Sequence, residues 1–195
     1  MRRVCRVDRF VIFIIPKFSG QVFEDPSLTS VTRERIQRAA AAGDVDEAEA
    51  ESMMTLIGQG CRGIGAEIDG RLAGHAWIQF EGEYRFGQCG RMAIPPKHAV
   101  AKNLFVFSRF RGHDLGSKLN VARLAMIPAG HTPVGFIIPE NRYAIRNWER
   151  YGFERVLAWR QSLWFGRARH ASITRLGQCS EADALFRALQ EANGR

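Results

Sequence analysis

The chain is a basic polypeptide of 195 residues with a formal net charge of +8, and 46% of its residues are hydrophobic. This length fits one domain, and the apolar content excludes an intrinsically disordered chain. The positive charge is spread along the chain without blocks, and no apolar stretch is long enough to cross a bilayer. We therefore expect no membrane span, and nucleic-acid binding lacks a motif that would support it.

The cysteines and the N-terminus indicate the cellular compartment. Four cysteines lie far apart in the sequence: Cys5, Cys61, Cys89 and Cys179. No two form a CxxC pair, so we expect reduced thiols in a cytoplasmic protein and no metal site. Met1-Arg2-Arg3 is followed by only a short apolar run, which predicts a buried strand and no signal peptide.

Apolar periodicity and turn residues predict alternating strands and helices in the first half of the chain. They predict a strand at 7–15, a turn-rich segment at 17–30, a helix at 32–42, a helix ending at Gly58, and strands at 62–68 and 72–80. Asp44 and Glu47 are expected to form the capping box of the second helix. Asp69-Gly70 predicts a type I′ hairpin between the two strands, because both residues tolerate a positive φ.

The second half continues the same alternation. It predicts an irregular loop at 81–98, a strand at 101–107, a helix at 115–126, a strand at 134–138, a helix at 141–151, strands at 154–165 and 168–176, and a helix at 180–192. This order predicts one α+β domain with a mixed sheet. Five aromatic residues at the end of the strand at 72–80, in the loop at 81–98 and in the strand at 154–165 could line a pocket, although a core role is favoured: Phe80, Tyr84, Phe86, Trp159 and Trp164.

The segment from Arg111 to Gly116 joins a predicted strand to a predicted helix. A glycine-containing loop at a helix start can direct several backbone N–H groups at one anion, and the helix dipole adds partial positive charge. The pattern therefore predicts a phosphate or pyrophosphate site, with an ordinary turn as the alternative.

Further signatures flank this loop: the Asp69-Gly70 hairpin before it, and Asn141-x-x-Ala144 with Gly152-Phe153 after it. With these features the chain resembles the GNAT superfamily of acyl-CoA-dependent N-acyltransferases over residues 62–156. The resemblance implies a single α+β domain over residues 1–195, completed by a strand and a helix at 168–192. It also implies a twisted, mostly antiparallel mixed sheet, flanked by helices, in which the strands at 104–107 and 134–138 splay apart.

The resemblance implies acetyl-CoA as the cosubstrate and no metal. Loop amides would bind the pyrophosphate, and the preceding strand would bind the pantetheine arm. The cofactor-binding residues implied are Phe105, Val106, Phe107, Arg111, Gly112, His113, Asp114, Leu115, Gly116, Ser117, Asn141 and Trp148. Asn141 is equally read as a helix N-cap, and Lys118 could supply charge to a phosphate. A backbone N–H near Val106 or Phe107 would bind the oxyanion of the transition state.

Two residues depart from the family pattern. Asp114 stands at the central glycine of the loop, where its carboxylate would weaken or shift pyrophosphate binding unless it points away and caps the following helix. Trp148 stands where the family has a tyrosine that protonates the leaving thiolate. An indole N–H is too weak an acid for that role, so Trp148 is expected to pack against the cofactor arm or the core. The acid would be Tyr143, a water molecule, or none at all.

The acceptor amine must lose a proton before it attacks the thioester. The candidate bases are Glu67 and His75 on the hairpin strands. Glu81, Glu83 and His98 are further candidates.

The sequence thus predicts direct acetyl transfer from acetyl-CoA to the amine of a small molecule or a protein. One alternative is a non-catalytic module that binds CoA or a partner, to which Asp114 and Trp148 point. A weaker alternative is a basic nucleic-acid-binding protein. The terminal strands and helix could support a homodimer.

Overall fold

The computed structural model describes residues 5–164 and 167–193. Its strands are β1 (Cys5–Ile14), β2 (Leu28–Ser30), β3 (Arg62–Ile68), β4 (Arg71–Gln79), β5 (Glu83–Phe86), β6 (Gly90–Ala93), β7 (His98–Val106), β8 (Thr132–Ile137), β9 (Glu154–Trp164) and β10 (Arg167–Arg175). Its helices are α1 (Arg33–Ala41), α2 (Glu47–Gly58), α3 (Leu115–Ala125), α4 (Arg142–Arg150) and α5 (Ser180–Asn193). A 3-10 turn at Ser108–Phe110 follows β7. The α+β class predicted from the sequence is confirmed.

The chain divides into two compact units. The first contains Met1–Phe18, Glu81–Val100 and Thr132–Arg195, and the second contains Ser19–Phe80 and Ala101–His131. The N-terminal triplet Met1-Arg2-Arg3, the predicted strand end at Phe165 and the side chain of Cys5 lie outside the described part of the chain. Cys61, Cys89 and Cys179 are free thiols. None of the helices in the described part combines the length and hydrophobicity that a bilayer crossing requires.

The first unit is built around four strands in the order β10-β9-β1-β8, each antiparallel to its neighbour. The apolar run in β1 becomes the centre of the core, with Ile12 and Ile14 fully buried. α5 buries Ala182, Leu185 and Leu189, which recur at helical spacing on one face. Trp159 lies in the same cluster.

The loop predicted at 81–98 is wrong in part, because β5 and β6 form a hairpin there. Its strands are only four residues long and are separated by glycines. The alternation of the buried Tyr84 and Phe86 with exposed residues was therefore too short to predict a strand. Both side chains, like Trp159, are buried in the core of the first unit, as the core interpretation predicted. Trp164 instead remains 49% exposed.

The second unit contains the strand order β7-β4-β3-β2, together with α1, α2 and α3. The predicted type I′ hairpin is confirmed: Ile68 pairs with Arg71, and Asp69 and Gly70 have φ values of 50° and 73°. Gly74 lies on β4, where an added Cβ would come within 2.6 Å of the Phe105 carbonyl oxygen.

The predicted capping box of α2 is displaced by two residues. Asp46 is the N-cap, and its carboxylate accepts a hydrogen bond from the Glu49 N–H at 2.8 Å. Asp44, predicted as the cap, is buried before the helix in an ion-pair cluster. Two Asp-x-x-Glu patterns overlap at this position, and the burial of Asp44 selects the second one.

Candidate functional site

The site in the second unit begins where β7 ends. The Phe107 N–H donates to the Ala73 carbonyl oxygen at 3.0 Å, which joins the end of β7 to β4. This N–H is therefore engaged within the protein, so the sequence prediction of an oxyanion donor near Val106 or Phe107 does not apply to the Phe107 N–H. After the 3-10 turn, Gly112 adopts φ +93° and the chain enters α3 at Leu115.

Asp114 occupies the N-cap position of α3 in the left-handed conformation, with φ 52° and ψ 19°. Its side chain makes no capping hydrogen bond, so the alternative in which its carboxylate caps the helix does not hold. The left-handed backbone prevents the extended N-cap geometry in which a side chain can reach the first turn. The same backbone explains why a glycine suits this position.

The remaining loop residues present both amides and charges. The side chains of His113 and Arg111 are exposed, and an added Cβ on Gly116 would meet no atom within 4 Å. Lys118 pairs with Asp25 at 3.1 Å, so part of its charge is already satisfied. Hydrogen bonds from Ser27, together with Lys118, lower the pKa of Asp25 to about 2.

A cleft of about 290 Å³ adjoins the loop. Its lining comes from the start of α2, the end of β7 and the 3-10 turn: Asp44, Val45, Asp46, Glu49, Phe105, Phe107, Ser108, Arg109 and Arg111. The cleft therefore combines two aromatic rings with acidic groups on one element and basic groups on the other.

Asp44 joins these elements through two arginines. Its buried carboxylate lies 2.6 Å from Arg109 and 2.7 Å from Arg71. Burial alone raises the pKa of Asp44, but the hydrogen bonds and charges of the two arginines outweigh it and hold the pKa below its usual value. Asp44 is therefore a charged structural group and not a proton acceptor.

His75, a base candidate from the sequence, lies beside the cleft but is only 1% exposed. The Trp77 indole N–H donates to His75 Nδ1 at 2.9 Å, and His75 Nε2 lies 2.8 Å from Glu49 Oε1. Gly63 makes room for the indole, since an added Cβ there would lie 2.7 Å from the ring of Trp77. A chain of three side chains therefore ends at a carboxylate that lines the cleft.

Burial is the main influence on His75 and lowers its pKa below 6.5. The charge and hydrogen bond of Glu49 and the backbone of Asn103 oppose this shift without cancelling it. Asn103 lies inside β7 with φ 45°, a left-handed conformation that is unusual within a strand. His75 is therefore held as a neutral imidazole.

Glu67, the other base candidate on the hairpin, faces a different groove. It forms an ion pair with Arg35 and accepts a hydrogen bond from Thr29 at 3.4 Å. This groove of about 160 Å³ is lined by Arg38, Asp44 and Arg71 among others. The structure thus brings His75, but not Glu67, to the cleft beside the loop.

The first unit holds the other predicted residues. The side chain of Asn141 accepts a hydrogen bond from the Ala144 N–H at 3.0 Å, which confirms its N-cap role in α4. Trp148 is buried, with its ring centroid 4.3 Å from that of Phe153. It thus packs in the core of this unit, whereas Tyr143 is 79% exposed.

The additional base candidates also lie in the first unit. His98 is buried between two carbonyl oxygens, of Pro96 and Glu181, at 2.9 and 3.0 Å. Glu83 pairs with Arg85 at 2.6 Å, and Glu81 is exposed. Among the residues described, no cluster of three or more His, Cys, Asp or Glu side chains could hold a metal ion.

Sequence reasoning missed four residues of the cleft and its surroundings: Asp44 as an ion-pair centre, Glu49, Trp77 and Arg109. A local signal did exist for Glu49, because Asp46-x-x-Glu49 is a capping-box pattern. The contact of Glu49 with His75, 26 positions away, follows only from tertiary structure.

The sequence model of the acetyltransferase (GNAT) family matches residues 30–153. A structure from Novosphingobium aromaticivorans, described as a GNAT-family acetyltransferase, shares 21% identity and a TM-score of 0.57, covering 82% of this chain and 66% of its own. A Drosophila protein shares 16% identity and a TM-score of 0.52, covering 81% of this chain and 51% of its own.

A conserved protein of unknown function from Staphylococcus epidermidis shares 10% identity and a TM-score of 0.53, covering 81% of this chain and 61% of its own. At these identities the likeness is one of fold. The chain spans between about half and two thirds of the length of these three structures. No curated protein matches the chain significantly.

Proposed function

The chain belongs to the acetyltransferase (GNAT) family, and from this premise we propose that it transfers an acetyl group from acetyl-CoA directly to an amine. The observation that carries the proposal is the adjacency of two features in the second unit. The loop from Arg111 to Asp114 opens α3, and the cleft beside it is lined by Arg111 and by the carboxylate of Glu49. One feature suits a pyrophosphate, and the other suits an amine.

The fit of the loop to a pyrophosphate is supported by its own geometry. The N-terminus of α3 is not capped by the Asp114 side chain, and Gly116 leaves open space next to the first turn. The first-turn N–H groups of a helix favour an anion, and the exposed Arg111 adds a full positive charge. Bound acetyl-CoA would supply the thioester that donates the acetyl group.

The fit of the cleft to an amine rests on its acidic side. Asp46 and Glu49 at the start of α2 attract a cation, and Phe105 and Phe107 provide apolar surface for the carbon skeleton. An amine with a pKa near 10 is almost fully protonated at neutral pH, so a nearby carboxylate also has a chemical use. Both small-molecule and protein amines meet these requirements.

We also propose that Tyr143 is the acid that protonates the leaving thiolate. Its phenol is exposed, whereas Trp148 is enclosed in the core. We expect Tyr143→Phe to reduce kcat about tenfold or more if the phenol is used, and to have no effect if water protonates the thiolate.

Thermal unfolding with acetyl-CoA tests the proposal first, with CoA as the comparison ligand. A ligand at 100 times its Kd stabilises a fold by about 2.7 kcal/mol, which is a shift of several degrees. A panel of amines with detection of the released thiol then tests turnover. A shift followed by turnover supports the proposal, and no shift at millimolar ligand overturns it.

A second candidate function is a module that binds CoA or a partner without catalysis. Two observations favour it: the Asp114 carboxylate at the loop, and the enclosure of Trp148 at the position of the family's tyrosine. Stabilisation by acetyl-CoA without turnover across the amine panel would support this candidate.

A further inference from the structure

We propose that Glu49 accepts the proton of the acceptor amine, and that the buried His75 acts as a positioning residue that orients Glu49 without taking the proton itself. This inference rests on the proposed acetyl transfer and assigns two residues within it.

The tautomer of His75 follows from its neighbour. An indole N–H can only donate a hydrogen bond, and that of Trp77 lies 2.9 Å from His75 Nδ1. Nδ1 must therefore accept and carries no hydrogen. In the neutral ring the hydrogen is then on Nε2, which donates to Glu49 Oε1 at 2.8 Å. Protonation of Nδ1 would place two N–H groups against each other.

The surroundings of His75 keep the ring in this orientation. It is stacked on Phe105 with centroids 6.1 Å apart, and it meets Phe107 edge-on at 5.9 Å. The charged or polar groups facing it are Glu49 from α2, the Trp77 indole from β4 and the Asn103 backbone from β7. The buried imidazole thus has no open nitrogen with which to take a proton from a ligand.

Glu49 differs from the other acidic groups of the cleft in the kind of group with which its carboxylate interacts. Asp44 is paired with two arginines, whose charges stabilise its ionised form. Asp46 accepts the hydrogen bond that caps α2. The partner of Glu49 is a neutral imidazole, which orients the carboxylate without a full opposing charge. Of these three carboxylates, Glu49 is therefore the one that neither pairs with an arginine nor caps the helix.

The position of Glu49 also allows access. Its backbone N–H is fixed by the Asp46 cap, and its side chain is 30% exposed on the cleft wall. One carboxylate oxygen points to His75, and the group is still reachable from the cleft.

The transfer balances with Glu49 in this role. An ammonium acceptor first loses one proton to Glu49, which passes it to solvent. The neutral nitrogen then forms a bond to the thioester carbon, and the C–S bond breaks with its electron pair on sulfur. The second proton of the nitrogen ends on the departing thiolate, so the products are an amide and CoA.

The kinetic test uses Glu49→Gln, with Glu51→Gln, an exposed glutamate of the same helix, as the control. We expect Glu49→Gln to lower kcat about 10²–10⁴-fold, to remove the acidic limb of the pH profile, and to leave the KM for acetyl-CoA unchanged. Glu51→Gln should behave as the wild type. Glu49→Asp, which keeps the carboxylate, provides a second variant if the glutamine variant unfolds.

The positioning role is tested with Trp77→Phe, which removes the indole N–H. We expect nitrogen NMR of His75 to report the Nε2–H tautomer in the wild type and a tautomer mixture in the variant. The acidic limb of the kcat profile should shift as well, whereas a structural role alone would change only the unfolding temperature.

The possible outcomes distinguish failure of the proposed acetyl transfer from failure of the roles assigned to Glu49 and His75. Wild-type protein without turnover overturns the proposed transfer, and the role of Glu49 with it. Wild-type turnover that survives in Glu49→Gln with an unchanged pH profile overturns only the assignment of Glu49. A mixture of tautomers in the wild type overturns the positioning role of His75.

Discussion

Asp114 adopts a conformation that favours glycine, at a loop suited to an anion. A left-handed residue other than glycine costs roughly 1–2 kcal/mol, and less for aspartate. We expect Asp114→Gly to raise the free energy of unfolding by up to about 1 kcal/mol and to tighten acetyl-CoA binding, because a negative charge leaves the pyrophosphate loop. Calorimetry and urea denaturation measure the two effects.

Asp69 provides a matched control, because it also has a positive φ, of 50°, in the β3–β4 turn. Asp69→Gly should produce a similar change in stability with no change in affinity. Weaker binding of acetyl-CoA by the Asp114 variant would contradict the prediction.

Substitution of Gly116 distinguishes a steric constraint imposed by the protein itself from one imposed by a bound ligand. Nothing lies within 4 Å of the position that a Cβ would take, and Gly58 in α2 is equally open. Alanine in a helix is favoured over glycine by about 0.8–1 kcal/mol in the interior and by less near the ends. Gly116→Ala and Gly58→Ala should both stabilise the fold, but only Gly116→Ala should weaken acetyl-CoA binding in a titration. Equal affinities in the two variants would show that the ligand does not approach Gly116 closely.

At the scale of elements, Asp44 connects the segment before α2 with β4 and with the turn after β7. We expect Asp44→Asn to lower the free energy of unfolding by about 1–3 kcal/mol, because two guanidinium groups lose one buried partner. Urea denaturation measures this change. The control is Glu140→Gln at the exposed Arg9–Glu140 pair, where both side chains are more than half exposed. That substitution should cost less than about 1 kcal/mol. Similar losses in the two variants would argue against a central role for Asp44.

Many element boundaries could be predicted from the sequence, because periodicity and turn chemistry are local. β3 has the predicted bounds, Thr32 caps α1, and Asp69-Gly70 forms the predicted turn. β2 and the β5–β6 hairpin were missed, since strands of three or four residues carry too little periodicity among glycines and prolines.

The site was less predictable than the fold. The loop before α3 was located from its glycines, but the contact of His75 with Glu49 joins a strand to a helix that local patterns do not connect. The burial of Trp148 and the exposure of Tyr143 likewise depend on how α4 packs. Roles that depend on long-range contacts therefore could not be predicted from a single sequence.

At the scale of the whole molecule, His75 links folding to pH. Burial lowers its pKa in the folded state below 6.5, so the unfolded chain takes up the proton first as the pH falls. The contribution of the neutral ring to stability is complete above pH 6.5 and is lost as the pH falls towards the folded-state pKa. The stability difference between the wild type and His75→Gln should therefore be largest near pH 7.5 and shrink towards pH 5.5.

Urea denaturation of both proteins at the two pH values measures this difference. A gap that stays constant or widens at low pH would show that His75 is not buried as a neutral ring. His113→Gln, at an exposed histidine of the loop, serves as the control.

Gly63 has a consequence for how the sequence can vary. Its missing side chain leaves the space that the indole of Trp77 occupies, and that indole in turn determines which nitrogen of His75 carries the hydrogen. In a mutational library selected for turnover, position 63 should therefore tolerate substitution as poorly as a residue of the cleft, although it is not part of the cleft lining. Conservation of the site would then depend on Gly63, a residue that a comparison of the reactive side chains alone would overlook.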